Sequence, residues 1–360
     1  MLAIKKTVLA KEMVEGKNCE NFIGATQVPL GTAGPLKIVF DNQKRKEYTL
    51  PLSTTEGALV ASVNRGCKAT HSSGIKTYVQ NIGATRGPIF RVKDISQARK
   101  LVTFVENNLP ALNKIIRKKE KHITLLKVKS QILGKNIWLR FYFDTSEAMG
   151  MNMVTIASDE ISTFLQKKFE IKCLSLSGNF CSDKKPSWAN FIFGRGKKVW
   201  AEARIKKETV KKVLKTNSQN IVDVVKQKSH LGSIITGSMG FNAHYANIIA
   251  ALFLSTGQDL AHVVEGAMGI TDAEVEKNGD LFFSIYLPDV MVGTVGGGTH
   301  LPTQKEALKI LGLDSKKKGD SLIFAQIVGA AVLAGELSLT AALASNHLAK
   351  AHQKLGRGKK

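Results

Sequence analysis

The sequence predicts a mixed α/β protein in which a small α+β unit interrupts a larger α/β domain. Three observations predict it. A Gly- and Pro-rich stretch over residues 20–36 feeds a short apolar strand and then an apolar helix. Residues 88–176 change texture, setting short β-rich runs beside amphipathic helices, the segregation expected of an α+β unit. The C-terminal half returns to Gly-studded apolar segments and one long helix rich in Ala and Leu. At 360 residues, about two domains of roughly 100 to 200 residues each are expected.

Taken in order, Gly24, Pro29, Gly31, Gly34 and Pro35 read as turns leading into a strand over 36–40. Thr54 or Thr55 can cap a helix that starts at Glu56 and runs through Val63, although Gly57 and Gly66 weaken that helix. The interrupting unit holds strands over 88–92, 123–128 and 136–143, and helices over 95–109 and 152–169, with Arg86 and Ser177 at its borders. Beyond Trp200 a basic helix is expected to Lys215, then an apolar helix over 237–257 and strands over 281–287 and 290–295. A glycine run at 293–299 and a last helix over 322–351 complete the chain. No internal repeat is visible.

Composition narrows the function classes. Apolar content of 43% and charged content of 22% fit a folded globular protein and exclude disorder. A formal charge of +23 invites a polyanion, yet the excess is spread along the chain in patches at 114–121, 197–198, 206–207, 316–318 and 359–360, which read as solvated surface. A nucleic-acid binder would interleave aromatics with these charges, and aromatics are only 7% and sit in apolar runs, so no nucleic-acid partner is expected. Cysteines 19, 67, 173 and 181 match neither a disulfide framework nor a zinc motif, which fits a reducing cytoplasm and no structural metal. Residues 1–15 lack a signal-peptide core and no stretch approaches 18 uninterrupted apolar residues, so no membrane span is expected.

Three distant ionisable residues carry the strongest chemical signal. Glu56 follows Ser53-Thr54-Thr55, Lys184 stands in Ser182-Asp183-Lys184-Lys185-Pro186, and Asp259 follows Gly257-Gln258. Each lies among small residues, turn formers or an apolar run, where burial shifts proton affinity. Opposite charges of this kind suggest one acid/base site assembled from remote segments. Asp259 at the end of an apolar helix needs a cation or a proton, and Lys184 would supply the former; a plain helix-terminal Asp and a solvated Lys184 turn are the bland readings.

Other motifs are weaker. The glycine run at 293–299 lacks the Rossmann spacing and the Walker lysine, so a structural turn competes with a pyrophosphate loop. Met149, Met151 and Met153 read as core filler, while Gly150 between them would let a flat ring or a diphosphate approach the backbone. His347 and His352 are five apart, which excludes a helical zinc pair, and His244 reads as packed or solvated. The basic, Gly-rich tail after His352 suggests a mobile flap.

Together the segments 20–24, 54–57, 64–67, 85–88, 148–153, 177–186, 240–244, 257–259, 293–299 and 335–338 resemble the catalytic portion of the 3-hydroxy-3-methylglutaryl-coenzyme A (HMG-CoA) reductase family, in its soluble archaeal-type class I form. The resemblance covers nearly the whole chain. It implies reduction of HMG-CoA to mevalonate and free CoA in two hydride transfers, by an α/β acyl-CoA-binding domain (1–87 and 177–360) with an inserted ferredoxin-like cofactor domain (88–176). It also implies a homodimer or homotetramer with an interface active site, the 20–24 segment matching the dimer motif.

Carried over residue by residue, the resemblance makes Lys184 the oxyanion stabiliser, Glu56 a proton donor, Asp259 their coupler and His352 the acid for the departing thiolate. Arg86, Ser177, Asp183, Lys185, Lys228 and Asn247 match the hydroxymethylglutaryl side, and Ser62, Asn64 and Arg65 the CoA side. Lys121, Glu147, Ala148, Met149, Gly150, Met151, Asn152 and Met153 match the cofactor site. The sequence departs from the family pattern in three ways. Ser146-Glu147 replaces Gly-Asp, placing a longer carboxylate near the cofactor. Glu120-Lys121 stands where a hydroxyl residue and arginine usually meet the cofactor phosphate. The lysine content is also unusual for the family. NADPH is therefore expected with NADH open, and so are an NADH-linked enzyme working in the degradative direction and a catalytically silent descendant.

Overall fold

The computed structural model describes residues 9–314 and 317–345. Eleven strands are named in chain order: β1 (Leu30–Val39), β2 (Arg45–Ser53), β3 (Ile75–Arg86), β4 (Ile89–Arg91), β5 (Thr124–Leu133), β6 (Asn136–Asp144), β7 (Lys172–Ser175), β8 (Arg195–Ile205), β9 (Gly240–Phe241), β10 (Gly269–Val275) and β11 (Leu281–Val290). They run β7-β4-β6-β3-β8-β11-β10-β9, with β1 and β2 branching from β3 and β5 from β6.

Strand β3 belongs to both halves of this array. Its Lys76–Gly83 portion pairs antiparallel with β8, while Ala84, Thr85 and Arg86 pair with β6. Arg86 is thereby set at the junction. On the far side of it, the order β7-β4-β6-β5, all antiparallel, with helices Ile95–Asn107 and Leu109–Ile116 before β5 and Met151–Phe169 before β7, is the ferredoxin-like arrangement.

Two hydrophobic clusters follow this division. Phe90, Leu101, Leu112, Ile137, Phe141, Val154, Ile161 and their neighbours fill the smaller one, with Met149, Met151 and Met153 packed against it. The larger one centres on the helix Asp320–Ala344, buried almost all round, as an apolar helix must be inside a protein. By length and composition this helix could cross a bilayer, yet 83% of its most apolar stretch lies buried inside the fold. It crosses the helix Leu59–Thr70 so closely that a Cβ on Gly66 would lie 1.8 Å from the Ala334 carbonyl oxygen. Only glycine permits that approach.

Several expected elements shift. The first long helix starts at Leu59, after Ala58 in a left-handed conformation (φ 75°), and Thr54 Oγ1 accepts from the Glu56 N–H in place of capping the helix. The helix expected over 95–109 breaks at Asn108, because Pro110 sits at the start of a second helix and Asp94 caps the first by accepting from Gln97 N–H. The basic helix is preceded by β8, which runs to Ile205, and Lys197, assigned to solvent with its patch, is buried and donates to the Val292 carbonyl at 2.8 Å. Helix 237–257 begins only at Tyr245, and no strand spans 290–295, since β11 stops at Val290. His347 and His352 lie outside the described residues.

A candidate active site at the junction

The site begins with a strained loop. Asn179, Ser182 and Lys184 all adopt positive φ (61°, 47° and 56°), which costs non-glycine residues free energy unless surrounding contacts hold them. The holding contacts are identifiable. Lys184 N–H donates to Glu265 Oε1 at 3.2 Å, and the Ser182 carbonyl accepts from the buried Asn190 side chain at 3.0 Å. Splayed this way, the loop sends three charges along different routes.

Lys184 Nζ meets Asp259 Oδ2 at 2.7 Å. Burial alone would raise the Asp259 carboxyl, but the Lys184 hydrogen bond, the Ala261 N–H and the nearby His262 hold it below the usual carboxylate range. Asp183 Oδ1 accepts from Arg195 Nη2 at 2.7 Å, and its Oδ2 lies 3.5 Å from Arg86 Nη1. Arg86 in turn donates to Thr155 Oγ1 through Nε and Nη2. Lys185 Nζ returns to the Asp183 carbonyl at 3.2 Å and stays exposed.

Behind these residues sits a group that the sequence reading did not single out. Arg195, fully buried, donates to Glu265 Oε1 at 2.7 Å, to Thr85 Oγ1 at 3.0 Å and to Met151 Sδ at 3.1 Å. His262 Nδ1 lies 2.6 Å from the same Glu265 oxygen, and its Nε2 is 3.7 Å from Asp259 Oδ2. Asp183, His262 and Glu265 approach one another closely enough to hold a metal, but the Arg195 guanidinium already supplies the cation between the two carboxylates. Deeper still, burial pushes the Asp289 carboxyl up to about 8, against the pull of Arg195 and Arg140.

The cofactor-matched loops also meet. Thr294 N–H donates to the Glu147 carbonyl at 2.8 Å and Ala148 bridges Val295, a contact so tight that a Cβ on Gly293 would lie 2.3 Å from Met149 N. The Glu147 carboxylate accepts from the Gly319 and Ser321 N–H groups at 2.7 Å each, securing the start of the last long helix. Asn152 and Lys121 are exposed.

Glu56 makes no hydrogen bond or ion pair with Lys184 or Asp259, which pair with each other. It is exposed on the loop before Leu59 and forms no ion pair among the described residues. It lines an open cleft of about 380 Å³ with Thr32, Ala58 and Asn64. Ser62 and Arg65 on the same helix bond Ser338, at 2.9 Å through both side chains, and Asn64 accepts from Gly34 N–H at 3.0 Å. Asn247 lies 3.4 Å from His244 Nδ1, Ser177 Oγ 3.5 Å from Cys181 Sγ, and Lys228 is exposed. His244 is packed, its Nε2 2.9 Å from the Gly335 carbonyl.

The family description for hydroxymethylglutaryl-coenzyme A reductase matches residues 2–357. The chain belongs to that family. Among its relatives, a 3-hydroxy-3-methylglutaryl-coenzyme A reductase from Methanocaldococcus jannaschii is 51% identical over 354 residues, covering 96% of this chain and 86% of its own length. One from Aeropyrum pernix is 49% identical over 362 residues, covering 99% and 86%. The class II reductase of Streptococcus pneumoniae, solved bound to NADPH in open conformations, shares the fold at a TM-score of 0.72 and 18% identity, covering 90% of this chain and 87% of that one. The enzyme's activity is therefore that of its family, reduction of HMG-CoA in the mevalonate pathway.

Within this reductase, Arg195, His262 and Glu265 are what sequence reasoning missed. The available signals were local and faint: an arginine between Gly194 and Gly196, and a His three residues after Asp259 with a Glu three further on. Nothing in either segment announces that they meet.

Proposed function

We propose that Lys184 polarises the thioester carbonyl and stabilises the oxyanion formed on it, with Asp259 holding the ammonium in place. The observation that carries this reading is the 2.7 Å contact between Lys184 Nζ and Asp259 Oδ2, made by side chains that keep 41% and 33% of their surface open to an incoming substrate. Asp183, shared by Arg86 and Arg195, orients the hydroxymethylglutaryl end with Ser177, Lys185, Lys228 and Asn247. Ser62, Asn64 and Arg65 face the CoA portion. Glu56 donates a proton in the aldehyde step, and His352 serves the leaving thiolate.

A nicotinamide cofactor fits the junction. The helix Met151–Phe169 begins at Gly150 without a side-chain cap, leaving backbone N–H groups for a diphosphate, and the 293–299 loop lies against its approach. The bound dihydronicotinamide supplies hydride; Ala148, Met149, Gly150, Met151, Asn152 and Met153 would seat it within an inserted unit of about residues 88–176. NADPH is the preferred cofactor in this reading. Lys118 and Lys121 are exposed beside Glu120 and can meet a 2′-phosphate, whereas Lys119 is paired with Glu160.

The exposed Glu56 face supports completion of the site by a second copy, so the working form is a cytoplasmic homodimer or a homotetramer of class I type; sedimentation of the pure protein tests this. The decisive assay follows cofactor oxidation on adding HMG-CoA. Lys184→Ala is expected to lower kcat by about 10²- to 10³-fold with unchanged thermal unfolding. Equal rates would remove the oxyanion role. Turnover with NADPH and NADH across salt tests the cofactor reading, and a clear NADH preference reverses it.

A further inference from the structure

His262 is fully buried, and its two ring nitrogens face opposite carboxylates. Nδ1 is 2.6 Å from Glu265 Oε1 and Nε2 is 3.7 Å from Asp259 Oδ2, the oxygen that Lys184 also holds. Nε2 has no hydrogen-bond partner among the described residues. A buried nitrogen without a partner is costly, so it needs a reason to be there.

We propose that His262 is a positioning residue for the reduction, locked by Glu265 and set to fix the charge and aim of Asp259 behind Lys184. This inference rests on the reading of Lys184 and Asp259 given above. With Nδ1–H donated to Glu265, the neutral ring offers Asp259 only a lone pair, leaving Oδ2 to Lys184 while Oδ1 accepts from the Ala261 N–H. Protonated at Nε2, the ring becomes a second donor competing for the same Asp259 oxygen. Charge on His262 thus sets how tightly the Lys184 ammonium is held.

The charged groups around the ring come from four segments. Asp259 precedes it, Glu265 follows it, Arg195 approaches to 3.4 Å from β8 and Lys184 faces it across Asp259. Asp183 stands beyond Arg195, and Asp289 beyond Glu265 on β11. Glu265 is fixed from three directions, by Arg195, His262 and the Lys184 N–H, so it holds the ring and the strained Lys184 backbone together.

The test compares HMG-CoA reduction by wild type, His262→Gln, Glu265→Gln and Lys184→Ala across pH 5.5–9, with thermal unfolding of each. His262→Gln is expected to lower kcat about 10- to 100-fold, as loss of an outer positioning group does, and to leave KM for HMG-CoA within about threefold. Glu265→Gln weakens the ring's anchor and should lower kcat in the same range with KM likewise held; this variant decides the matter if His262→Gln does not fold. A kcat within about threefold of wild type, or a loss that falls on KM instead, in whichever variant folds overturns the proposal, even if its melting temperature falls. Full activity in Lys184→Ala would instead remove the reading on which the proposal stands.

Discussion

The Lys184 loop and the Glu56 loop are both matched to catalysis, yet the fold treats them oppositely. Around Lys184 this single chain supplies counter-charges for the less exposed groups: Asp259 for the ammonium, Arg195 for Asp183, and Arg195 again for Glu265, while Lys185 stays exposed. Around Glu56 the described residues supply none, and the carboxylate faces an open cleft. The contrast follows from desolvation. A charge taken out of water must be paired where it sits, whereas a charge left in water can await a partner from a substrate or a second copy. One half of the site is preorganised, and the other is open.

The hardest blow to this contrast comes from removing the buried cation. Arg195→Leu leaves Glu265 and Asp183 without their common partner, and should destabilise the protein by about 3–5 kcal/mol in denaturant unfolding, whereas Glu56→Gln should change stability by less than about 0.5 kcal/mol. If both variants unfold at the same denaturant concentration, the two regions do not differ as described. Glu56→Gln should nevertheless lose most turnover, which separates an open catalytic group from an idle one.

How much of this was legible before the fold was known depends on the distance over which each residue finds its partner. The helix 152–169 and the strands 123–128 and 136–143 were readable because their patterns are local, and they appear as Met151–Phe169, β5 and β6 with shifted ends. Strand β8 was not. Its Lys197 and Lys198 look like a solvated face, and Arg195 carries no signal, until Glu265, Asp183 and the Val292 carbonyl, all remote in sequence, are brought against Arg195 and Lys197. Lys197 shows the consequence: burial lowers its ammonium to about 8, although Glu147 and Asp144 oppose the fall. The pairing of Lys184 with Asp259 could be suspected because an unpaired Asp at a helix end is costly; His262 carries no such local penalty and gave no warning.

Next in size is the packing that carries the open face. Ser62, Asn64 and Arg65 ride on the helix Leu59–Thr70, whose contact with the last long helix depends on the missing side chain at Gly66. In an exposed helix Gly→Ala stabilises, but here the added methyl meets the Ala334 backbone, and overpacking should cost about 1–3 kcal/mol. The same substitution should displace Arg65 from Ser338, raising KM for HMG-CoA more than it lowers kcat. Unchanged stability would mean that the helices part freely and that the CoA side is not fixed by their crossing.

Glu147 joins the cofactor-side loop to the last long helix and gives a smaller effect. Glu147→Ala leaves the Gly319 and Ser321 N–H groups without their acceptor, a loss comparable to that of a helix cap, about 0.5–2 kcal/mol. Because the carboxylate is engaged there, the variant's preference between NADPH and NADH should stay as in the parent. A reversed preference would put Glu147 back at the cofactor.

The smallest effect belongs to the Lys184–Asp259 pair considered as a stabilising contact. Both side chains remain partly exposed, so the pair is worth at most about 0.2–1 kcal/mol once screened by solvent. Its sign with pH is fixed. Asp259 has a lowered pKa in the folded chain, so its contribution is present above the unfolded carboxyl value of about 3.9 and disappears as pH falls through the lower folded value. Comparing unfolding of the parent and Asp259→Asn from pH 7 to pH 2 should therefore show the difference shrinking only as pH falls below about 4. A difference as large at pH 2 as at pH 7, or one that changes between pH 6 and pH 8, would assign it to other groups. The pair most tied to catalysis would then contribute least to the fold, as expected of a site that must release its ammonium to a substrate oxygen.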